Sequence, residues 1–195
     1  MPGTIFHLYV AQRFAERNPA VPASPDYYLG HVAPDAVLLR SDADAGLHAV
    51  THLKQDGIPW ERSVLESLRR LDHPSVYLLA FHLHVLVDVV FYEQLHTGRN
   101  GASAYGSAME VLDRNLSARM TDLPAIVALM AKAKPADPTP GTTNDDLAAM
   151  VADCRRLVAE APGRAEEPPD PVEYPLHRLL ALTDPIVTYL ENCLH

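Results

Sequence analysis

The run SVYLLAFHLHVLVDVVFYEQ (75–94) decides the fold. It reads as one long helix, apolar almost all round, and such a helix is normally buried in a core. His84 and Asp88 stand four residues apart and therefore stack on one face. At about 100° per residue that face also carries Tyr77, Phe81, Phe91 and Leu95. A buried ionised carboxylate is tolerated when it is paired, hydrogen-bonded or bound to a metal. Asp88 therefore marks either a packing hydrogen bond with His84 or a ligand site. His82 points nearly opposite and lies off the site. A membrane span would need ~20 apolar residues without a central charge. The uninterrupted apolar part is shorter and Asp88 interrupts it, so a soluble core helix is the better reading.

A chain of 195 residues with 48% hydrophobic content is long enough to bury a real core in one domain, taken as 1–195. The net charge of −9, with no Lys/Arg cluster, excludes a nucleic-acid backbone as the main partner. Cys154 and Cys193 make neither a disulfide framework nor a CxxC knot and read as packing residues in a reducing compartment. The start, MPGTIFHLYVAQRF, lacks a basic region and a cleavage site, so no signal peptide and a cytoplasmic location are expected.

Outward from the central run, Thr4 is the expected N-cap of a helix over 5–17, with His7 on the inward face beside Val10, Ala11 and Phe14. PAVPASPD (19–26) and RSDADAGLHA (40–49) read as loops. Within YYLGHVAPDAVLL (27–39), Pro34 pushes Ala33 out of the α region and leaves Asp35 just past a bend. His52 sits among apolar neighbours, and a helix over 59–71 presents Trp60, Val64, Leu65 and Leu68. His73, beside Pro74, reads as a cap or surface residue. LHTGRNGAS (95–103) is a glycine-rich loop without a phosphate-cradle pattern. One or two helices follow over 104–134, interrupted near Pro124, then helices over 144–160 and 176–194, the last bent at Pro185. Proline-rich connectors cover 134–142 and 162–172. No alternating strand pattern appears, so an all-α, compact multi-helix domain is predicted.

Five residues in apolar settings look inward: His7, Asp35, His52, His84 and Asp88. Three imidazoles and two carboxylates make a site suited to Zn²⁺, and also to Mn²⁺ or Fe²⁺. Their order and spacing resemble the zinc-dependent phospholipase C family of all-α metallohydrolases, distantly akin to single-strand-specific nucleases. The resemblance covers about the first half of the chain. It rests on MPGTIFHL with His7, YLGHVAPD ending in Asp35, Thr51-His52, and His84-Val-Leu-Val-Asp88 followed by Phe91 and Tyr92. It implies that Asp35, His52, His84 and Asp88 hold one zinc, and that Asp88 bridges to a second zinc that also takes His7.

The departures from that family matter too. Secreted members use the N-terminal amine further ahead of the first histidine, and hold another metal with two histidines and a glutamate four residues after the second. After Asp88 this chain has His96, His177 and His195, none with such a glutamate. His96 is the nearest additional ligand candidate and Glu93 the nearest carboxylate, so one or two metal ions are expected.

Such a site lowers the pKa of a bound water and polarises a phosphoryl or carbonyl oxygen. The resemblance implies attack on a phosphodiester in a small-molecule substrate, with Asp35 orienting or deprotonating the water. Arg40, Lys54 and Arg99 are candidate clamps on substrate charge, against solvated surface as the plainer reading. Two alternatives stand beside this one. The same ligands would serve a recruited metalloenzyme doing amide hydrolysis, lyase chemistry or iron-dependent oxidation, and a purely structural His/Asp set would leave a helical binding module. The nucleotide phosphohydrolases of the histidine-aspartate class are excluded, since no His-Asp dipeptide occurs.

Overall fold

The computed structural model describes residues 3–93, 102–135, 137, 139–161 and 175–194, and of residues 102–107 the backbone alone. The described residues are all-helical, with no strand among them. The long apolar run forms α5 (Val76–Phe91), started by the Ser75 hydroxyl, which accepts the Leu78 N–H at 3.2 Å. Every residue from Ala80 to Val89 is buried, as an all-round apolar helix requires.

Short helices wrap this axis. α2 (Pro25–Gly30) packs closely on α5, with further contacts from α4 (Trp60–Arg69), α10 (Thr183–Cys193) and α1 (Thr4–Arg17). Gly30 makes the α2–α5 approach possible: a Cβ there would lie 2.5 Å from the Tyr77 carbonyl oxygen and 2.7 Å from Ala80 Cβ. α1 buries Ile5, Phe6, His7, Leu8, Val10, Ala11 and Phe14 along one face. Tyr27 ties α2 to α1 by donating its hydroxyl to the Ala11 carbonyl at 2.9 Å.

Several local expectations change for identifiable physical reasons. Gly3, not Thr4, is the N-cap of α1 and makes no side-chain cap. The free amides go to a distant carboxylate: Asp113 of α6 (Ala102–Ser117) accepts the N–H groups of Ile5 at 3.2 Å and Phe6 at 3.3 Å. Burial pushes the Asp113 carboxyl up to about 7, against the opposing pull of those amides. The 19–26 stretch is loop only to Ser24, whose hydroxyl accepts the Tyr27 N–H and starts α2 with Pro25 at its first position.

The 40–49 stretch is likewise only part loop. Asp44 accepts the Leu47 N–H at 2.7 Å and starts α3 (Ala45–Thr51). Between α2 and α3, Ala33–Leu39 winds as a 3₁₀ helix carrying Asp35 in its first turn.

The C-terminal half supports this frame. α7 (Leu123–Met130) begins at the expected Pro124 break, and α8 (Asn144–Ala159) opens with a Thr143/Asp146 capping box. The last helix is broken at Leu182 into α9 (Leu176–Ala181) and α10, rather than bent at Pro185. Proline is tolerated in a first turn, where its missing N–H has no partner to lose. Described residues of the 134–142 connector are held against the core. The Lys134 N–H donates to Asp26 at 2.8 Å, and Thr139 is buried with its hydroxyl 3.3 Å from the Tyr77 hydroxyl. No described helix is long and apolar enough to cross a membrane.

Gly30→Ala should lower stability by about 1–3 kcal/mol, the usual cost of forcing volume into a filled contact. Denaturant midpoints measure it, and an unchanged midpoint would place α2 further from α5 than described here.

Candidate metal centre

Four elements deliver five buried side chains to one point. α1 brings His7, the 3₁₀ helix Asp35, the C-terminal end of α3 His52, and α5 both His84 and Asp88. His7, His52, His84 and Asp88 are 0% exposed and Asp35 6%, so the cluster opens to solvent on the Asp35 side.

The backbone sets the ring orientations. His84 Nδ1 lies 2.7 Å from the His31 carbonyl oxygen. His52 Nδ1 lies 3.0 Å from both the His48 carbonyl and the Thr51 hydroxyl. A nitrogen facing a carbonyl must carry the hydrogen, so each ring donates outward and turns Nε2 inward. What those nitrogens meet are carboxylate oxygens. His52 Nε2 is 3.1 Å from Asp88 Oδ2 and 3.3 Å from Asp35 Oδ1. His84 Nε2 is 3.4 Å from Asp88 Oδ2 and 3.8 Å from Asp35 Oδ2, and His7 Nε2 is 3.3 Å from Asp88 Oδ1.

These are ion-pair distances without hydrogen-bond geometry. Both nitrogens of His7, Nε2 of His52 and His84, Asp35 Oδ1 and both Asp88 oxygens are buried without a hydrogen-bond partner. A lone pair facing a carboxylate is repulsive unless a positive charge lies between them, so the arrangement calls for protons or a cation. Burial works to raise the Asp88 carboxyl, but His84, His7 and His52 around it outweigh burial and hold it well below the usual range. Burial works to lower the His52 pKa, but Asp35 and Asp88 outweigh it and hold it up at about 9. His7 is lowered, by burial first and by His84 next.

All five ligands expected from the sequence therefore converge. Among the described residues, two groups with no member in common place one ligand atom per residue within 4.8 Å of the others: His7, His84 and Asp88, and Asp35, His48 and His52. His48 went unrecognised in the sequence because its stretch reads as loop. Its signal was the spacing HAVTH, which puts His48 and His52 on one face of a helix. His31 was also missed. It is fully buried with neither ring nitrogen bonded, its ring 4.8 Å edge-on from Tyr27, and burial holds its pKa well below the ordinary value.

Other candidates stand apart. His82 bonds Ser67 at 3.0 Å and the Leu78 carbonyl at 2.8 Å, away from the cluster as its helix facing predicts. His73 is on the surface beside Asp72, and Glu93 and His177 are exposed. His96, Arg99 and His195 lie outside the described residues. Arg40 is occupied by Asp42 at 2.7 and 2.8 Å. Lys54 is the cation nearer the site. Its Nζ lies 4.1 Å over the Trp60 ring, and Trp60 in turn donates Nε1–H to the His52 carbonyl at 2.7 Å. A cavity of about 480 Å³ lies elsewhere, between Leu29, Met130, Lys134, Leu147 and Arg155, and no cluster residue lines it.

The chain matches no family model, no curated protein and no solved structure. The site therefore speaks through its own chemistry: a buried set of histidine nitrogens and carboxylate oxygens that could hold a divalent metal ion.

Metal content should separate the two faces of α5. His84→Ala should lose stoichiometric metal, measured by elemental analysis, whereas His82→Ala should retain it. The reverse result would mean that the ion is not held where the rings converge.

Metal affinity should also depend on pH, because the ion replaces a proton. The His52 pKa is raised from 6.5 to about 9 in the metal-free fold. The stabilisation that its proton supplies is thus fully present below 6.5 and lost as pH rises through about 9. Metal binding at pH 7.5 should release a proton, seen by calorimetry in buffers of different ionisation enthalpy, and affinity should rise up to about pH 9. A pH-independent affinity would remove His52 from the ligand set.

Proposed function

We propose that this chain is a metal-dependent hydrolase acting on a phosphoester. The observation that carries the reading is the buried meeting of imidazole Nε2 atoms with two carboxylates, which calls for positive charge between them that a divalent cation supplies. The phosphoester assignment is supported by the order His7, Asp35, His52, His84, Asp88, which resembles the zinc-dependent phospholipase C pattern.

Zn²⁺, Mn²⁺ or Fe²⁺ bound there would supply an activated water near neutral pH and a Lewis acid for a phosphoryl oxygen. The chain does the rest. His52 and His84, pinned at Nδ1 by backbone carbonyls, hold their Nε2 atoms in place without rearrangement. Asp35 stands at the open edge, and its carboxyl is lowered because His84 and His52 together outweigh the upward pull of burial. It is thus ionised at neutral pH and positioned to take the proton of the attacking water. Water oxygen bonds to phosphorus as its proton passes to Asp35, the ester P–O bond breaks, and the departing alkoxide collects a proton from Asp35 or from solvent. Lys54 beside Trp60 supplies positive charge near the opening, opposing the repulsion an anionic substrate meets from a chain of net charge −9.

Protein loaded with zinc, manganese or iron should hydrolyse bis(p-nitrophenyl) phosphate, and chelator should abolish the rate. Asp35→Asn, which keeps size but removes the charge, should lower turnover by ~10²-fold or more. Full activity in that variant removes Asp35 from the chemistry. Metal-loaded protein inert with all three ions would instead favour amide hydrolysis, lyase chemistry or iron-dependent oxidation on the same ligands.

A further inference from the structure

We infer that His48 is a metal ligand on the open side of the centre, which therefore holds two ions: one on His7, His84 and Asp88, and an outer one on Asp35, His48 and His52. This rests on the metal-dependent reading above and goes beyond it in the added ligand, His48, and in how the ligands divide.

Donor atoms are too many for one ion. Four histidines each offer a nitrogen and two aspartates four oxygens, whereas zinc in protein sites takes about four ligands. The geometry divides them. Asp88 turns Oδ1 to His7 at 3.3 Å and Oδ2 to both His52 at 3.1 Å and His84 at 3.4 Å, so its carboxylate stands between the two groups. One ligand atom from each of His7, His84 and Asp88 lies within 4.8 Å of the other two, and the same holds for Asp35, His48 and His52.

His48 fits the outer position in three further respects. It is four residues before His52 on the same short helix, so α3 presents both rings while the His48 carbonyl fixes His52 Nδ1–H. Asp44 starts that helix, and Gly141, at φ +73°, packs against Leu47 and Thr51 on it, so the pair is held on a braced element. No described residue hydrogen-bonds its ring nitrogens, although Asp35 and His52 each place a ligand atom within 4.8 Å of one of them.

Burial then assigns the roles. His7, His84 and Asp88 are sealed, whereas His48 is half-buried and Asp35, at 6% exposure, is the less sealed of the two carboxylates. Each group supplies three side chains, and a catalytic metal site is the one that keeps a position open to substrate. The outer ion is thus the one that meets an anionic oxygen of substrate, and the inner ion holds Asp88 in place.

Titration of the whole protein with Co²⁺, read by visible absorption and by metal analysis after gel filtration, tests this. Wild type should bind two ions per chain. His48→Ala should keep one and bind the second at least tenfold more weakly. His48→Gln should do the same, and provides the comparison if the alanine variant fails to fold. His73→Ala, on the surface, should bind two like wild type. Two ions of unchanged affinity in both His48 variants would overturn the assignment of His48 and leave the metal reading standing. A single ion in wild type would overturn the two-ion arrangement. No stoichiometric metal in wild type would remove the metal-dependent reading itself, and this inference with it.

Discussion

The carboxylate of Asp88, carried into the centre of the protein by its most apolar helix, is the constraint on which the rest depends. In that position it is fully buried and no described residue hydrogen-bonds it, so its charge is supportable only through what surrounds it. Three imidazoles within 3.1–3.4 Å are that surrounding, and each arrives from a different part of the chain. The folding of α1, of α3 and of the segment between them is thereby tied to one buried charge. The apolar packing of α5 and the polar chemistry of the site are one design feature, since the packing excludes water from the interactions that the chemistry uses.

Support for the cluster comes from backbone carbonyls more than from side chains. The carbonyls of His31 and His48 orient His84 and His52, so two histidines outside the sequence-derived ligand set act through their main chain. The remaining anchor is Asp113, which terminates α1 from over a hundred residues away and so places His7, one turn further in. Among the described residues, the C-terminal half contributes none of the side chains converging on Asp88. Its part is to hold the N-terminal half in position.

Much of this was legible in the residues. Apolar character and helical spacing put His84 and Asp88 on one face of α5 and His82 on another. Pro34 marked the bend that aims Asp35, and the period of the first helix turned His7 inward. The misread places share one cause. Polar runs such as 40–49 carry few apolar residues to show a period, and their helices are set by caps at Ser24 and Asp44 in stretches otherwise rich in turn-forming residues. His48 was lost in that way, because an i,i+4 pair has meaning only once the helix is recognised.

What the sequence by itself determined was an all-helical chain with a buried central helix and five inward ligands, because helical periodicity and the cost of burying charge act over one or two turns. Tertiary structure alone decided which of these side chains come together. The stacking of His7 on His84, the meeting of Asp88 with His7 and His52, and the capping of α1 by Asp113 join segments far apart in the chain. Their geometry is set by how helices pack, and no local pattern of residues encodes a distance across a core.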